Sequence, residues 1–474
     1  MKPSEYDLED PIVAIATALV PSALGIVRAT GTGSIELAAK SFSRPKALLG
    51  APGNALVHGW ILGPGSERLD EVMVSVYRAP KSFTGEDSVE ITGHGGPATV
   101  LAVYRALVAS GFRPAERGEF SLRAFANGKA DLTKAEAIRE IIEAKTDEAR
   151  SRAADRLAGS LAAEMTAIRD DIMRALAAIE VEIEYPEDEE TTSGKLDETL
   201  IDGAARRLSA LASAWAAERL FQDGARVVLA GKTNAGKSSL FNALLKEDRA
   251  IVSDAHGTTR DWLESRADFL GIPVRVFDTA GFRETEDAVE AEGVERSRAL
   301  AENADVVLYL VDATEGIVGE DAEFLLAHEG SALPLIVVWN KSDRTNAREP
   351  TLPANLSGLP VVAVSAKTGS GVQALVAAVS RALLGDACNA AEGTAKGTTR
   401  GTRAGAPGSE RQKDAIERSQ AFLEHALEAA REGFPMDAVA QDLEEALGCI
   451  GEITGETSSA DVLDAVFSGF CVGK

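Results

Sequence analysis

Cysteine is scarce in this sequence, and its placement excludes two kinds of structure. Only three cysteines occur among 474 residues, Cys388, Cys449 and Cys471. No two of them form a CxxC pair, so the sequence indicates neither a disulfide framework nor a zinc site. Such usage is typical of proteins in a reducing compartment, and we expect a cytoplasmic location.

Long apolar runs are missing as well. No stretch reaches the roughly 18 consecutive apolar residues that a transmembrane helix needs. The sequence opens with MKPSEYDLEDP, which is polar and acidic and argues against a secretory signal peptide. We therefore expect no membrane partner.

Positive charge is in the minority: 49 Lys and Arg stand against 74 Asp and Glu, for a net charge of −25. Such a chain exerts no general electrostatic attraction on nucleic acid. A nucleic-acid partner must then be bound by local basic patches or brought by a second protein. We interpret the most acidic run, EVEIEYPEDEE at 180–190, as a solvated helix end and turn.

The remaining composition is that of an ordinary globular protein, with 45% hydrophobic residues and room for roughly three domains. Residues 11–127 mix short β-rich runs with a helical stretch near 97–110, which predicts an α+β domain. From Thr133 the pattern becomes helical, and Thr133 and Glu136 have the spacing of a capping box. A repeating apolar face predicts one long helix; its members are Leu157, Leu161, Met165, Ile168, Ile172, Leu176 and Ile179.

From residue 225 apolar strands alternate with helices, which predicts a mostly parallel sheet covered on both faces. The predicted strands are Val227–Ala230, Val274–Phe277, Val306–Val311, Leu335–Trp339 and Val361–Val364. Residues 386–409 are rich in Gly, Ala and Thr and predict a flexible linker. The fold class is thus multidomain: an α+β domain at 1–127, a helical domain in two parts at 128–223 and 410–474, and an inserted α/β domain at 224–385.

The inserted domain begins with a phosphate-binding sequence. GKTNAGKS at 231–238 fits GxxxxGKS, and it follows a strand and precedes a helix, as a P-loop must. Backbone N–H groups and the helix N-terminus would bind phosphate oxygens. Lys237 would reach the β- and γ-phosphates as a catalytic residue, and Ser238 would coordinate Mg²⁺.

Three further elements follow at strand ends, where open α/β sheets bind their ligands. DTAG at 278–281 fits the DxxG element, NKSD at 340–343 places Asp343 to accept from guanine, and SAK at 365–367 offers a backbone N–H to its O6. Thr259, in GTTRD, is the natural second Mg²⁺ ligand. The sequence therefore predicts a Ras-like G domain that binds and hydrolyses GTP. The candidate nucleotide-binding residues are Asn234, Ala235, Gly236, Lys237, Ser238, Ser239, Ser253, Asp254, Ala255, His256, Gly257, Thr258, Thr259, Asp278, Thr279, Ala280, Gly281, Asn340, Lys341, Asp343, Ser365, Ala366 and Lys367.

The residue after DTAG departs from Ras-like sites. It is Phe282 rather than glutamine, and phenylalanine cannot orient an attacking water. A downstream carboxylate, a partner's residue or a cation must then supply that function.

With these elements in place, the sequence resembles the tRNA-modification GTPase MnmE (TrmE) family almost from end to end. The resemblance rests on TGEDSVEITGHGGP (84–97), RGEFSLRAFANGKADLTKAEAI (117–138), GKTNAGKSSLFNALL (231–245), AIVSDAHGTTRDWLE (250–264), DTAGFRETEDAVEAEGVERS (278–297) and the terminal FCVGK. It implies an N-terminal dimerisation and folate-binding domain, a helical domain and an inserted G domain.

The resemblance also implies an activity. GTP hydrolysis would be stimulated by K⁺ and coupled to an FAD-dependent partner, MnmG, which would form a heterotetramer with a homodimer of this chain. Together the two proteins would add an aminomethyl-type group at C5 of the tRNA wobble uridine, with a carbon from 5,10-methylene- or 5-formyl-tetrahydrofolate. The sequence leaves open whether glycine or ammonium is the nitrogen donor.

Particular residues inherit roles from the resemblance. Glu290 matches the catalytic glutamate that positions the attacking water, although on spacing alone it is one acid in an acidic stretch. The K⁺ ligands would be Asn234, Ser253, Ala255 and Thr258, and Asn234 would thereby also serve catalysis. The folate contacts would be Arg28, Glu90, Lys129 and Lys474.

Several residues keep a second interpretation. Cys471 is either a buried structural or positioning cysteine or a reactive thiol, and the former is favoured. His94 more plausibly serves a tight turn than catalysis. The family usually has a glycine-rich segment that contains an arginine at the position of residues 18–24, which read ALVPSAL here. The difference bears on folate binding.

Two other functions remain open: a ribosome-assembly GTPase, and a GTP-driven scaffold without folate chemistry. The retained Arg28, Glu90, Lys129 and terminal FCVGK favour tRNA modification. A ribosome-assembly factor is expected to carry a basic RNA-binding module, and none is evident in the sequence.

Overall fold

The structure is a computed structural model that describes residues 6–184, 197–246, 264–278, 304–328, 331, 333–385 and 405–473. The chain divides into two compact units. The first comprises residues 1–139, 162–205 and 418–474, and the second comprises residues 140–161 and 206–417. No helix within the described ranges combines the length and the apolar character needed to cross a bilayer.

Within residues 11–114 of the first unit, a six-stranded sheet and three helices confirm the predicted α+β domain. The strands are β1 (Ile12–Ile15), β2 (Ser22–Thr30), β3 (Ala55–Leu62), β4 (Arg68–Tyr77), β5 (Ser88–Gly95) and β6 (Arg113–Pro114). They lie in the order β3-β4-β5-β2-β1-β6, antiparallel except for the β1–β6 pair. Helices α1 (Ser34–Lys40), α2 (Pro45–Leu49) and α3 (Pro97–Ser110) accompany them, and α3 matches the helix predicted near 97–110.

The inward side chains of this sheet alternate along each strand, as a half-buried sheet requires. Val72, Val74 and Val76 of β4 are all at most 2% exposed, whereas the residues between them are more exposed. They pack in one core with α1 and α3. This alternation fixes which face of the sheet each functional side chain occupies.

The helices of the central region are α4 (Glu119–Ala126), α5 (Leu132–Glu143), α6 (Asp147–Leu157), α7 (Ser160–Glu184) and α8 (Glu198–Asp223). The single long helix predicted from Leu157 is wrong at its start, because α6 ends at Leu157 and α7 begins at Ser160. Gly159, at φ 96°, makes the break in a backbone conformation that suits glycine. The rest of the predicted apolar face is buried, from Leu161 to Ile179.

The predicted capping box at the start of α5 is also wrong. The helix begins one residue earlier than Thr133, and the side chain of Asp131 caps it. Its Oδ1 accepts from the N–H of Lys134 at 2.8 Å and from the hydroxyl of Thr133 at 2.6 Å. Thr133 thus donates to the cap and does not serve as the cap.

The second unit contains the predicted mostly parallel sheet. Its strands are β7 (Ala225–Gly231), β8 (Glu264–Phe269), β9 (Ile272–Asp278), β10 (Val306–Asp312), β11 (Leu335–Asn340) and β12 (Val361–Ala363), in the order β12-β11-β10-β7-β9-β8. All neighbours are parallel except β8 and β9. The associated helices are α9 (Lys237–Lys246), α10 (Gly319–Ala327) and α11 (Val372–Leu384), with a 3₁₀ turn at Ala354–Leu356. Each predicted strand is confirmed within one or two residues, and β8 was not predicted.

Three more helices follow: α12 (Glu410–Glu432), α13 (Met436–Thr454) and α14 (Ala460–Ser468). Residues 386–404 of the predicted linker lie outside the described residues. Residues 405–408 are buried, and the N–H of Gly408 donates to Gln412 Oε1 at 2.7 Å. The end of the predicted flexible linker is therefore packed structure.

Candidate nucleotide site

The loop between β7 and α9 has the backbone form of a phosphate-binding loop. Asn234 has φ 66° and Gly236 has φ 99°, so the chain reverses direction tightly before α9. A Cβ atom on Gly236 would lie 2.2 Å from Nδ2 of Asn340, and only glycine fits there. The P-loop therefore needs glycine at position 236 for two reasons, the tight turn and the close approach of Asn340 at the end of β11.

Lys237 is the first residue of α9 and is only 7% exposed. Its ammonium donates to the carbonyl oxygen of Gly231 at 2.6 Å and to that of Lys232 at 2.8 Å. The cation is therefore held across the opening of the loop by the loop's own carbonyl groups. Ser238 and Ser239 follow in the first turn of α9, where the helix N-terminus favours anions.

Asn340 joins two parts of the site. Its side chain is 1% exposed. Nδ2 donates to the carbonyl oxygen of Ala235 at 2.8 Å, and Oδ1 accepts from the N–H of Ala366 at 3.1 Å. One buried amide therefore links the P-loop to the loop after β12.

Asp343 is held in place by Ser365. The hydroxyl of Ser365, a fully buried residue, donates to Asp343 Oδ1 at 2.7 Å and also accepts from the N–H of Thr368 at 3.2 Å. That hydrogen bond, followed by the nearby charges of Lys367 and Arg344, lowers the pKa of Asp343. The exposed carboxylate is thus ionised and oriented, as a hydrogen-bond acceptor for a purine edge must be.

Lys341 lies between these two residues in a left-handed backbone conformation, with φ 65°. Its ammonium contacts Asp312 Oδ2 at 2.5 Å. Asp312 was not singled out in the sequence. The available signal was its position as the last residue of an apolar strand, next in the sheet to the strand that ends at Asn340.

The other predicted nucleotide residues divide into two groups. Asp278 ends β9, which pairs with β7 through Leu229, so its backbone reaches the same sheet edge as the P-loop. The remainder lie outside the described residues: Ser253, Asp254, Ala255, His256, Gly257, Thr258, Thr259, Thr279, Ala280, Gly281, Phe282 and Glu290.

The first unit brings together two of the predicted folate residues. Arg28 and Glu90 are direct partners on β2 and β5, with Arg28 Nε 3.9 Å from Glu90 Oε1. The guanidinium of Arg28 lies over the rings of Phe120 at 4.4 Å and Phe83 at 5.1 Å. Burial lowers the pKa of Arg28, opposed by the charge of Glu90. The sequence did not identify Phe83 or Phe120 as part of this group, although Phe120 lies in the segment 117–138 that resembles the family.

The end of the chain lies against this group. Arg28 Nη1 donates to the carbonyl oxygen of Gly473 at 3.3 Å, and Val472 forms a β-bridge with Arg117. Cys471 is an exposed free thiol, so its interpretation as a buried cysteine is wrong. Lys474 lies outside the described residues.

Lys129 lies beside the loop that precedes β5. Its ammonium donates to the carbonyl oxygen of Pro80 at 3.0 Å and is otherwise exposed. The altered segment at 18–24 leads into β2, and Leu19, Val20 and Leu24 are between 47% and 62% exposed. Three large apolar side chains of this segment are therefore exposed to solvent.

His94 is not in a turn, which corrects that interpretation. It lies in β5, where its backbone N–H donates to Asp70 Oδ2 at 2.8 Å and its Nδ1 lies 2.6 Å from Oδ1. The hydrogen bond to Asp70 raises the pKa of His94. The pair joins β5 to β4 and accounts for the histidine without a catalytic role.

A parallel sheet with a P-loop after its first strand, and an oriented aspartate after the strand ending at Asn340, defines the protein as a P-loop GTPase. Residues 132–471 match the family model described as MnmE helical domain, and residues 11–129 match the one described as GTP-binding protein TrmE N-terminus. The chain belongs to the tRNA modification GTPase MnmE family, and it is a GTP hydrolase.

Individual relatives agree with this assignment. The tRNA modification GTPase MnmE of Treponema denticola is 52% identical over 485 residues, and that of Treponema pallidum is 44% identical over 511 residues. In both cases 100% of each chain is covered. A crystal structure of Era from Aquifex aeolicus is 30% identical over 33% of this chain and 56% of its own, with a TM-score of 0.26, and adds nothing to the assignment.

Proposed function

We propose that this GTPase acts with an FAD-dependent, MnmG-like partner to add an aminomethyl-type group at C5 of the tRNA wobble uridine. GTP hydrolysis would be stimulated by K⁺, and the added carbon would come from a tetrahydrofolate. Relatives that share 44% and 52% of the sequence carry the name tRNA modification GTPase. The observation that supports the folate step is the group formed by Arg28, Glu90 and the tail at Gly473.

That group fits an anionic, aromatic ligand in one respect. Arg28 Nε is buried and makes no hydrogen bond within the described part of the chain, so it has an unused donor. Lys129 adds a second cation whose side chain is exposed. A pteridine ring and a glutamate tail offer the acceptors and negative charge that such donors bind. Lys474, next after Gly473 in the sequence, is proposed as a further contact.

Ser238, in the first turn of α9, and Thr259 are proposed to coordinate Mg²⁺. Asn234, Ser253, Ala255 and Thr258 are proposed to bind K⁺, which supplies positive charge beside the phosphates. The left-handed backbone of Asn234 supports its part, since it places that residue within the turn of the P-loop. Glu290 is proposed to position the attacking water.

The assembly is proposed to be a homodimer that joins the MnmG-like protein in a heterotetramer in the cytoplasm. We propose that the N-terminal domain, residues 1–127, forms the dimer, and that residues 224–385 form the G domain. The net charge of −25 favours presentation of tRNA by the partner over direct capture by this chain.

A scaffold GTPase without folate chemistry is the second candidate. The apolar and exposed Leu19, Val20 and Leu24 favour it, because they replace a polar, glycine-rich segment. Mass spectrometry of wobble uridines tests the two. A strain lacking this protein should lose the C5 modification and regain it when the wild-type chain is restored. If the modification is the same with and without the protein, only the scaffold function remains.

Folate binding is tested by calorimetry with 5-formyltetrahydrofolate. We expect Lys129→Gln to weaken binding about tenfold, the effect of one charge-assisted hydrogen bond. Lys81→Gln is the matched control, because Lys81 is an exposed lysine of the same loop. Equal affinities of the two variants would contradict the role of Lys129, and no binding by the wild type would contradict the folate step.

Potassium stimulation is tested by GTPase rates in matched KCl and NaCl. We expect much faster hydrolysis in KCl, and Asn234→Ala should abolish the difference while leaving mant-GDP binding nearly intact. Glu290→Ala should slow hydrolysis in both salts. Equal wild-type rates in the two salts would refute the cation mechanism and indicate an arginine or glutamine from another protein.

A further inference from the structure

An ion pair joins Lys341 of the NKSD loop to Asp312, a residue outside every motif identified in the sequence. Asp312 and Asn340 end the neighbouring strands β10 and β11 and are paired in register. Lys341 follows Asn340, and its ammonium reaches back to Asp312 Oδ2 at 2.5 Å. The pair is sheltered, with 26% of the lysine side chain and 14% of the aspartate side chain exposed. Sheltering from solvent makes such a pair more effective than one on the open surface.

The two carboxylate oxygens of Asp312 have separate tasks. Oδ1 accepts from the N–H and the hydroxyl of Thr314, at 2.9 and 2.8 Å, and so shapes the turn after β10. Oδ2 accepts from Lys341. Burial raises the pKa of Asp312, but the donors from Lys341 and Thr314 outweigh it and the pKa is lowered. The carboxylate is therefore ionised at neutral pH.

The loop that starts at Asn340 is attached at several points, one of them the N–H of Ser342, which donates to the carbonyl oxygen of Val364 at 3.1 Å, and another the side chain of Lys341. Asn340 is tied to Ala235 and Ala366, and Asp343 is tied to Ser365. Lys341 itself has a positive φ, which is disfavoured for a residue with a long side chain and persists only where contacts enforce it. The contact between the Lys341 ammonium and Asp312 is one such contact.

We propose that Asp312 is a positioning residue for guanine recognition, acting through Lys341 to hold the loop backbone that aims Asp343 at the edge of the base. The inference rests on the proposed contact between Asp343 and guanine. Asp312 touches no nucleotide atom in this scheme. It sets the direction of a group that does.

The test begins with Asp312→Asn. The amide oxygen can replace Oδ1 and keep the bonds to Thr314, while the amide NH₂ then faces the ammonium of Lys341 and cannot accept from it. Lys341→Met removes the pair from the other side. We expect each variant of the full chain to bind mant-GDP about tenfold more weakly. Because Asp312 acts only through Lys341, the double variant should be no weaker than Lys341→Met alone.

Base discrimination separates positioning from general damage. Inosine lacks the 2-amino group that Asp343 is proposed to bind, so the ratio of GDP to IDP affinity reports the aim of that carboxylate. We expect this ratio to fall in Asp312→Asn and in Lys341→Met, whereas a less stable fold would weaken both nucleotides equally. Glu315→Gln, the same change at an exposed position of the same turn, should leave both the affinity and the ratio unchanged.

Three results would overturn the inference: GDP binding within twofold of wild type in Asp312→Asn, additive effects in the double variant, or an unchanged ratio despite weaker binding. Asp343→Asn tests the underlying contact by itself. If that variant binds GDP normally, the proposed role of Asp343 fails. If it weakens GDP and Asp312→Asn does not, only the role of Asp312 fails.

Discussion

Replacement of Asn340 by alanine should damage the nucleotide site more than any other change of one uncharged side chain in its loop. Asn340 is 1% exposed, and its amide makes the two hydrogen bonds that join the P-loop to the loop after β12. Asn340→Ala removes both bonds and leaves the backbone groups of Ala235 and Ala366 without these partners. It also removes the side chain against which Gly236 packs.

The magnitude follows from the burial of those two groups. A buried donor or acceptor that loses its partner costs about 1–3 kcal/mol. Ala235 is 3% exposed and should carry the larger share, while Ala366 is partly exposed and can recruit water. A total of about 2–4 kcal/mol is expected. An effect of about 2 kcal/mol on binding alone corresponds to roughly thirtyfold in Kd.

Two measurements detect this loss. Stopped-flow dissociation of mant-GDP should be at least tenfold faster in the variant, because the side chain of residue 340 no longer connects the P-loop to the loop after β12. Thermal unfolding should show the transition of the nucleotide-binding unit about 4–16 °C lower, given roughly 2–4 °C per kcal/mol for a domain of this size. Asn346→Ala is the matched control, since Asn346 is exposed six residues further along.

The reasoning is refuted if Asn340→Ala and Asn346→Ala have the same dissociation rate and the same unfolding temperature. That result would mean that water satisfies both backbone groups, and that the two loops are held together by other contacts. Faster dissociation with unchanged unfolding would show that the amide acts only on the site.

Three further outcomes are expected. NMR titration should give His94 a pKa above the ordinary 6.5, with its stabilising contribution complete below about pH 6.5 and lost as pH rises through the raised pKa, and Asp70→Asn should lower that pKa. Glu218→Gln should lower the stability of the second unit by about 2–4 kcal/mol in urea unfolding, because the buried carboxylate accepts from Arg152 at 2.7 Å and Arg156 at 2.6 Å. Thr146→Val should cost about 1–2 kcal/mol in the same assay, since that hydroxyl caps α6 and also donates to a carbonyl oxygen at 2.7 Å.

The parallel sheet could be predicted because its inner strands are buried on both faces. Val306–Asp312 and Leu335–Asn340 are short, nearly continuous apolar runs that lie between predicted helices. Such runs are typical of the central strands of a parallel sheet. Strand β8 was missed because Glu264–Phe269, ESRADF, begins with three polar residues and contains no apolar run, as its place at the edge of the sheet allows. The segment forms a strand by antiparallel pairing with β9, and the sequence of the segment alone does not indicate that pairing.

The errors among the helices have local causes. Apolar spacing of three or four residues continues across Gly159, so periodicity alone could not separate α6 from α7. Asp131 and Thr133 are both good capping residues, and the burial of Leu132 decides that the helix starts before the threonine. Composition predicted a linker up to residue 409, but Ala406 is 5% exposed because the neighbouring structure covers it.

At the site, sequence motifs predicted the residues but not the contacts among them. The P-loop and NKSD patterns identify Lys237 and Asp343 because phosphate and guanine require those groups. Asp312 belongs to no such pattern, and the SAK pattern that includes Ser365 predicts a backbone N–H for guanine and not a hydrogen bond from the Ser365 side chain to Asp343. Their roles follow only from the distances of 2.7 and 2.5 Å that the folded sheet creates.

The folate candidate group has a further property that follows from chain topology. Arg28 and Gly473 are separated by 445 positions, and Phe470 beside the tail is 3% exposed. The N–H of Gly118 lies 3.5 Å from the carbonyl oxygen of Cys471, so the tail is attached at several points along its length. Residues 1–127 alone therefore lack part of the surface around Arg28, because the last residues of the helical region supply it. The guanidinium would gain solvent in their absence, and burial is the main reason that its pKa is lowered. The environment of Arg28, the proposed folate contact, thus depends on the segment that ends at Gly473.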